Sequence, residues 1–123
     1  MKRAGKYKAQ LTGGGIVTWR GFGGAGSSDL LQKVQQMLYK EPYPTTLIIH
    51  IGTNDVFKAS TSDIREVIKS NLLSLRELLP NTKLIWSDII TRLAYNKEKV
   101  QGAGAKVTGK LNKCARRICC LLY

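Results

Sequence analysis

A short apolar run in the middle of the chain does most to limit how it folds. The segment Thr46-Leu47-Ile48-Ile49-His50-Ile51 is apolar at successive positions, so a strand formed by it presents apolar side chains to both faces of a sheet. Such a strand is typical of a parallel sheet that helices cover on both sides. The run therefore predicts an α/β protein with a layered core.

The segments around this run alternate between strand and helix patterns. Residues 16–19 and 83–90 have the β-branched and aromatic composition of strands. Apolar residues at helical spacing predict helices across residues 30–38, 64–79 and 100–122. One strand before each helix implies right-handed crossovers, and hence a three-layer α/β/α sandwich with a parallel sheet.

The net charge of +12 is concentrated at the two ends of the 123-residue chain. Residues 1–20 have five basic and no acidic side chains, and residues 95–123 have seven basic and one acidic. Residues 21–94 are nearly neutral. Basic ends attract phosphate backbones or an anionic membrane surface through a screened, non-specific field, which implies weak, salt-dependent contacts. We expect a poorly ordered basic segment over residues 1–15 and a domain over residues 16–123.

Cysteine usage and the lengths of the apolar runs limit the class of protein. The three cysteines lie within the last ten residues without Cys/His ligand spacing, which indicates neither a disulfide framework nor a metal site. An intracellular compartment, cytoplasmic or nuclear, is therefore expected. No run reaches the ~18 apolar residues of a membrane-spanning helix, and the basic start has no apolar stretch of a secretory signal behind it.

A glycine-rich loop follows the first predicted strand. Residues 21–26 match the G-x-G-x-x-G pattern of dinucleotide-binding folds. Those folds place an acidic residue at the end of the next strand, about 20 positions further on. Asp55 follows Gly26 by 29 residues, and this offset counts against the match. The lysine of a phosphate-binding loop is also missing, because Ser27 and Ser28 stand there. A small basic protein that binds nucleic acid or a dinucleotide remains one hypothesis, and a simple glycine-rich turn is another.

The residues after the apolar run form a second motif. Gly52-Thr53-Asn54-Asp55 resembles the Gly-x-Asn-Asp block of the SGNH, or GDSL-type, hydrolases, and Gly21-Phe22-Gly23-Gly24 resembles the block before it. Leu84-Ile85-Trp86-Ser87-Asp88 is similar to the family's next strand. The resemblance spans residues 16–123 and is close to esterase-type domains of vertebrate retroelement-derived proteins.

The resemblance implies a flavodoxin-like fold, carboxylic ester hydrolysis and an acyl-ester ligand, with no cofactor and no metal ion. It assigns the oxyanion hole to the backbone N–H of Gly24 and the side-chain amide of Asn54. Fixed donors of this kind stabilise the negative charge that develops on the carbonyl oxygen during ester cleavage. Asp55 is then expected to orient its loop by accepting backbone N–H bonds.

The family's catalytic serine and histidine are not among these residues. Its members carry the nucleophile in a Gly-Asp-Ser block and the general base in an Asp-x-x-His block, and neither block is present. His50 lies inside the apolar strand and is expected to be a packed core histidine. Ser27 or Ser28 is expected to cap a helix, and Ser87 has no base near it in sequence. We predict a truncated domain without esterase activity of its own. It should have a gap at the missing first strand unless residues 7–11 replace that strand or the neighbouring strands close together.

The terminal helix combines an apolar and a basic pattern. Its apolar stripe is predicted to consist of Val100, Ala103, Val107, Leu111, Cys114, Ile118 and Leu122. A basic stripe is turned by about 100° from it and consists of Lys99, Lys106, Lys110, Lys113 and Arg117. A basic amphipathic helix can lie on an anionic membrane or on nucleic acid, and a solvated flank of an outer helix is the alternative. The ending Cys120-Leu121-Leu122-Tyr123 has the outline of a prenylation box with an unusual last residue.

Overall fold

The computed structural model describes residues 4–90 and 103–121, with side chains from residue 8 onward. Within these residues the chain forms a mixed α/β fold with two small sheets. The strands are β1 (Ala4–Gln10), β2 (Ile16–Phe22), β3 (Thr46–Ile49) and β4 (Lys83–Trp86). The α-helices are α1 (Leu30–Leu38), α2 (Thr61–Leu78) and α3 (Ala103–Leu121).

The first sheet is an antiparallel hairpin of β1 and β2. Gly13 and Gly14 turn the chain between the strands with φ of +98° and +97°, values that glycine adopts without a Cβ penalty. The weak strand expected over residues 7–11 is thus observed as β1, over residues 4–10. It pairs with β2 and does not lie between β2 and β3. An ion pair from Arg20 to Glu41 links the hairpin to the segment before β3.

The second sheet is the parallel pair of β3 and β4, in which Ile49 is opposite Trp86 and Ile48 is opposite Ile85. Ile49 and Trp86 are buried, whereas Ile48 is 61% exposed and Ile85 is 37% exposed. One face of this pair therefore packs into the core, and the other is open among the described residues. The described residues thus contain a parallel strand pair covered on one face, and the third layer of the predicted sandwich is not found among them.

The three helices share one apolar core with the buried face of β3 and β4. Its fully buried side chains from α2 and α3 include Ile68, Leu72, Leu75 and Leu111. At the start of α2, the hydroxyl oxygen of Ser60 accepts the Asp63 N–H and caps the helix. Among the described helices, none combines the length and the apolarity that crossing a membrane requires.

Helix α3 is rotated relative to the face predicted from its apolar residues. Its buried residues are Gly104, Thr108, Leu111, Asn112, Ala115 and Cys119. The predicted positions Val107, Cys114 and Ile118 flank this face and are half-buried, while Val100 and Leu122 lie outside the described residues. Burial raises the pKa of the Cys119 thiol, so this cysteine packs as a small neutral side chain.

A buried asparagine explains the rotation. Asn112 Oδ1 accepts hydrogen bonds from Trp86 Nε1 at 3.1 Å and from the backbone N–H of Ile89 at 2.7 Å. Its Nδ2 donates to the Ile89 carbonyl at 3.3 Å. These bonds satisfy polar groups that otherwise lie in an apolar core without partners, and such groups are costly when unpaired. Asn112 therefore joins α3 to β4 and to the residues that follow β4.

We expect Asn112→Ala to destabilise the protein by about 2–4 kcal/mol, because it leaves the Trp86 indole N–H and the Ile89 N–H buried without an acceptor. Denaturant-induced unfolding measures this loss. Asn81→Ala, at an exposed position in a turn, serves as the control and should change the free energy of unfolding by less than about 0.5 kcal/mol. Equal effects of the two substitutions would contradict the role given to Asn112.

Candidate functional site

Two loops that leave strands meet beside the core. We call residues 23–29 the first loop and residues 52–57 the second loop. The carboxylate of Asp55 joins them, since its Oδ2 accepts the backbone N–H of Ser27 at 2.8 Å. Ser27 is only 2% exposed, so the donor of this charge-assisted bond is shielded from water, whereas Asp55 is half-buried. The contact agrees with the orienting role predicted for Asp55.

The first loop passes so close to Asp55 that only glycine fits at one position. A Cβ atom added to Gly26 would lie 2.6 Å from Asp55 Oδ1, well inside van der Waals contact. The Gly26 N–H also donates to Asp29 Oδ2 at 2.9 Å. Asp29 thus stabilises the turn before α1 in place of the predicted serine caps, because Ser27 is buried against the second loop.

The two predicted oxyanion donors lie in the parts of the loops that contact each other. Asn54 Nδ2 donates to the carbonyl of Ala25 at 3.1 Å, and Ala25 follows Gly24 directly. The Ala25 N–H closes a turn onto the Phe22 carbonyl at 3.2 Å, so the turn does not use the N–H of Gly24. Gly24 has φ of +74°, the left-handed conformation that the third residue of a type II turn requires. The structure brings Asn54 to the residue next to Gly24.

The second loop has its own steric requirement for glycine. Gly52 has φ of +117°, and a Cβ atom there would lie 2.6 Å from Ile89 Cδ1. The Asp55 N–H returns to the Gly52 carbonyl at 3.0 Å, which closes a short 3₁₀ turn over Thr53–Asp55. Phe57 has φ of +68°, a conformation that non-glycine residues rarely adopt. Backbone strain of this kind is concentrated at functional loops in many proteins.

His50 and Ser87 form a pair that the sequence-based interpretation missed. His50 Nδ1 lies 3.1 Å from Ser87 Oγ, and His50 is exposed. The prediction of a packed core histidine is therefore wrong, because no described layer covers the face on which Ile48 lies. The parallel register pairs Ile49 with Trp86. His50 and Ser87, the residues that follow them, are therefore neighbours. Strand pairing was the signal that could have found this pair.

A shallow groove of about 160 Å³ lies on the α2 side of Asp55. Its lining includes Ser27 and Ser28 from the first loop, Asp55 and Lys58, and residues from the first turns of α2. Gly24 and Asn54 are not among the lining residues. The groove is therefore a neighbour of the predicted oxyanion donors and does not contain them.

No protein-family model, curated protein or solved structure matches the chain. Within residues 4–90 and 103–121, no group of three or more His, Cys, Asp and Glu side chains lies together as a metal site.

We expect Gly26→Ala to destabilise the protein by about 1–3 kcal/mol, because the new methyl group displaces the Asp55 carboxylate from the buried Ser27 N–H. Gly21→Ala is the matched control, since a Cβ atom at Gly21 meets nothing within 4 Å. That substitution should leave the free energy of unfolding unchanged or slightly raised, because alanine has less chain entropy to lose in a strand. Chemical denaturation of the two variants checks the difference, and a Gly26→Ala protein as stable as the parent would contradict the close contact.

Proposed function

We propose that residues 16–123 are an SGNH-type hydrolase-like domain that retains two elements of the oxyanion hole. In this proposal Gly24 supplies a backbone N–H and Asn54 supplies a side-chain N–H to one ligand oxygen. The ligand is the carbonyl group of an acyl ester or the carboxylate that remains after its cleavage. The three-layer α/β/α sandwich of the family belongs to the same proposal.

The contact between the two loops is the observation that carries this proposal. The Asp55 carboxylate holds the Ser27 N–H at 2.8 Å, and the Asn54 amide nitrogen lies 3.1 Å from the Ala25 carbonyl oxygen. Each loop therefore limits the movement of the other, and the donors on them are held before a ligand arrives. Donors fixed in this way lose little entropy when they bind an anionic oxygen.

An amide is suited to this role because it donates hydrogen bonds without carrying a charge. The side-chain nitrogen of Asn54 donates to the Ala25 carbonyl, which places the amide at the first loop. That carbonyl restrains the amide plane, so the nitrogen stays near the turn that contains Gly24. A ligand oxygen bound there accepts from the loop backbone and from the side chain together.

The serine and histidine side chains described in this domain do not complete a hydrolase mechanism. Ser27 is buried and lies in the loop contact. Ser87 is paired with His50 through Nδ1, but no described carboxylate contacts the His50 ring to orient it, and Asp88 pairs with Arg116 instead. A triad needs such an orienting group to hold the base in position. The proposal is therefore a domain that binds an acyl group without cleaving it.

We expect binding of butyrate, a carboxylate of the proposed ligand class, to be confined to the two loops. In a titration followed by amide NMR signals, the Gly24 backbone N–H and the Asn54 side-chain NH₂ should shift together, because both donate to the same oxygen. Asn54→Ala should abolish the Gly24 shift. Gln36→Ala, which removes an exposed amide on α1, should leave it intact, and shifts that avoid both donors would contradict the proposed site.

We also expect the purified chain not to hydrolyse p-nitrophenyl butyrate above the rate in buffer, because its sequence has no Gly-Asp-Ser block for the nucleophile and no Asp-x-x-His block for the base. Release of p-nitrophenolate is measured for the parent chain and for the Asn54→Ala and His50→Ala variants. Turnover by the parent that Asn54→Ala abolishes would show a complete catalytic site and overturn the proposal. Turnover lost only in His50→Ala would assign activity to the exposed His50–Ser87 pair and would also contradict it.

A further inference from the structure

Charge is distributed very differently over the two long helices. Helix α2 has three basic and three acidic side chains along its 18 residues. Helix α3 has five basic and no acidic side chains along its 19 residues. The local positive charge of α3 therefore has no compensation within the helix.

Four of the five basic residues predicted for this stripe form one row on the solvent side of α3: Lys106, Lys110, Lys113 and Arg117. We keep the name basic stripe for these four, since the fifth, Lys99, lies outside the described residues. All four are exposed. At about 100° per residue, the middle of this row lies roughly 180° around the helix from the middle of the buried face. The basic stripe thus points directly away from the core, and not at about 100° from an apolar face as the sequence alone predicted.

The remaining basic residue of α3 lies to the side of this row and has a partner. Arg116 Nε lies 3.3 Å from Asp88 Oδ1. Within the described part of the chain, no carboxylate pairs with the basic stripe. The four cations are therefore available to an external anion.

We propose that the basic stripe binds the sugar–phosphate backbone of nucleic acid without base specificity. The stripe extends over roughly 16 Å at 1.5 Å per residue, which matches about five phosphates of one strand at 3.4 Å each. Lysine and arginine are the side chains that most often contact phosphates and position a protein on nucleic acid.

The packing of α3 argues against a membrane as the partner. A helix that lies on a bilayer inserts an apolar face between the headgroups. The inward face of α3 is already occupied, since Leu111, Ala115 and Cys119 are at most 5% exposed. The centre of the solvent face carries the basic stripe, and the exposed Leu121 lies only at the last turn of the helix, so this surface suits a rigid polyanion.

The test compares two variants of equal net charge. One removes two lysines and one arginine from the basic stripe (Lys110→Gln, Lys113→Gln, Arg117→Gln). The control removes two lysines and one arginine from exposed positions elsewhere (Lys40→Gln, Lys69→Gln, Arg65→Gln). Both lower the net charge from +12 to +9. Glutamine has nearly the same helix propensity as lysine and arginine, and circular dichroism confirms that each variant folds.

Binding to a fluorescein-labelled DNA duplex of about 20 base pairs is followed by anisotropy at several salt concentrations. The parent chain should lose affinity on the order of 100-fold between about 50 and 200 mM salt, as expected for roughly four phosphate contacts. The stripe variant should reduce the slope of log K against log salt by about 2–3, and the control by less than about 1. That difference supports the basic stripe as the binding surface.

Two outcomes would overturn this inference. Equal losses in the two variants would show that diffuse net charge, and not the basic stripe, attracts the DNA. Binding to phosphatidylserine vesicles without binding to the duplex would assign the stripe to a membrane surface. Neither outcome bears on Gly24 and Asn54, so the result is independent of the proposed acyl site.

Discussion

Burial of one face of the β3–β4 pair is the constraint on which the rest of this structure depends. Leu84 and Trp86 point into the core together with Ile49, and burying such side chains stabilises a fold by about 1.5–3 kcal/mol each. Because the pairing is parallel, both strands end at the same edge of the sheet. The second loop therefore begins at that edge, directly above the core that holds it.

The same constraint determines the orientation of α3. Trp86 brings an indole N–H into the core, and this polar group requires an acceptor. Asn112 supplies the acceptor, so α3 must turn this asparagine inward even though Val107 and Ile118 are more apolar. As a consequence, Lys110 and the rest of the basic stripe face solvent. One hydrogen bond to a strand thus accounts for the direction of a charged surface on the other side of the helix.

Local patterns predicted the helices well, because each depends on the spacing of its own apolar residues. Helix α1 occupies the predicted residues 30–38, and α2 differs from its prediction only at its ends. The antiparallel pairing of β1 with β2 was not predicted, although the two strands are adjacent in sequence, because residues 4–10 contain few of the β-branched and aromatic residues that mark a strand. Asn112 was missed for a related reason: a polar residue on a helix is usually exposed, and its partner Trp86 is 26 residues away.

The candidate site was predictable as two motifs but not as one contact, and the contact bears on the dinucleotide hypothesis for the glycine loop. A dinucleotide fold joins two neighbouring parallel strands through the helix after that loop, yet β2 pairs with β1 and not with β3 among the described residues. The acidic residue of the second loop, Asp55, accepts a hydrogen bond from the Ser27 N–H. This carboxylate is therefore used in the contact between the loops and is not reserved for a ribose hydroxyl. The close approach at Gly26 explains that glycine without any phosphate.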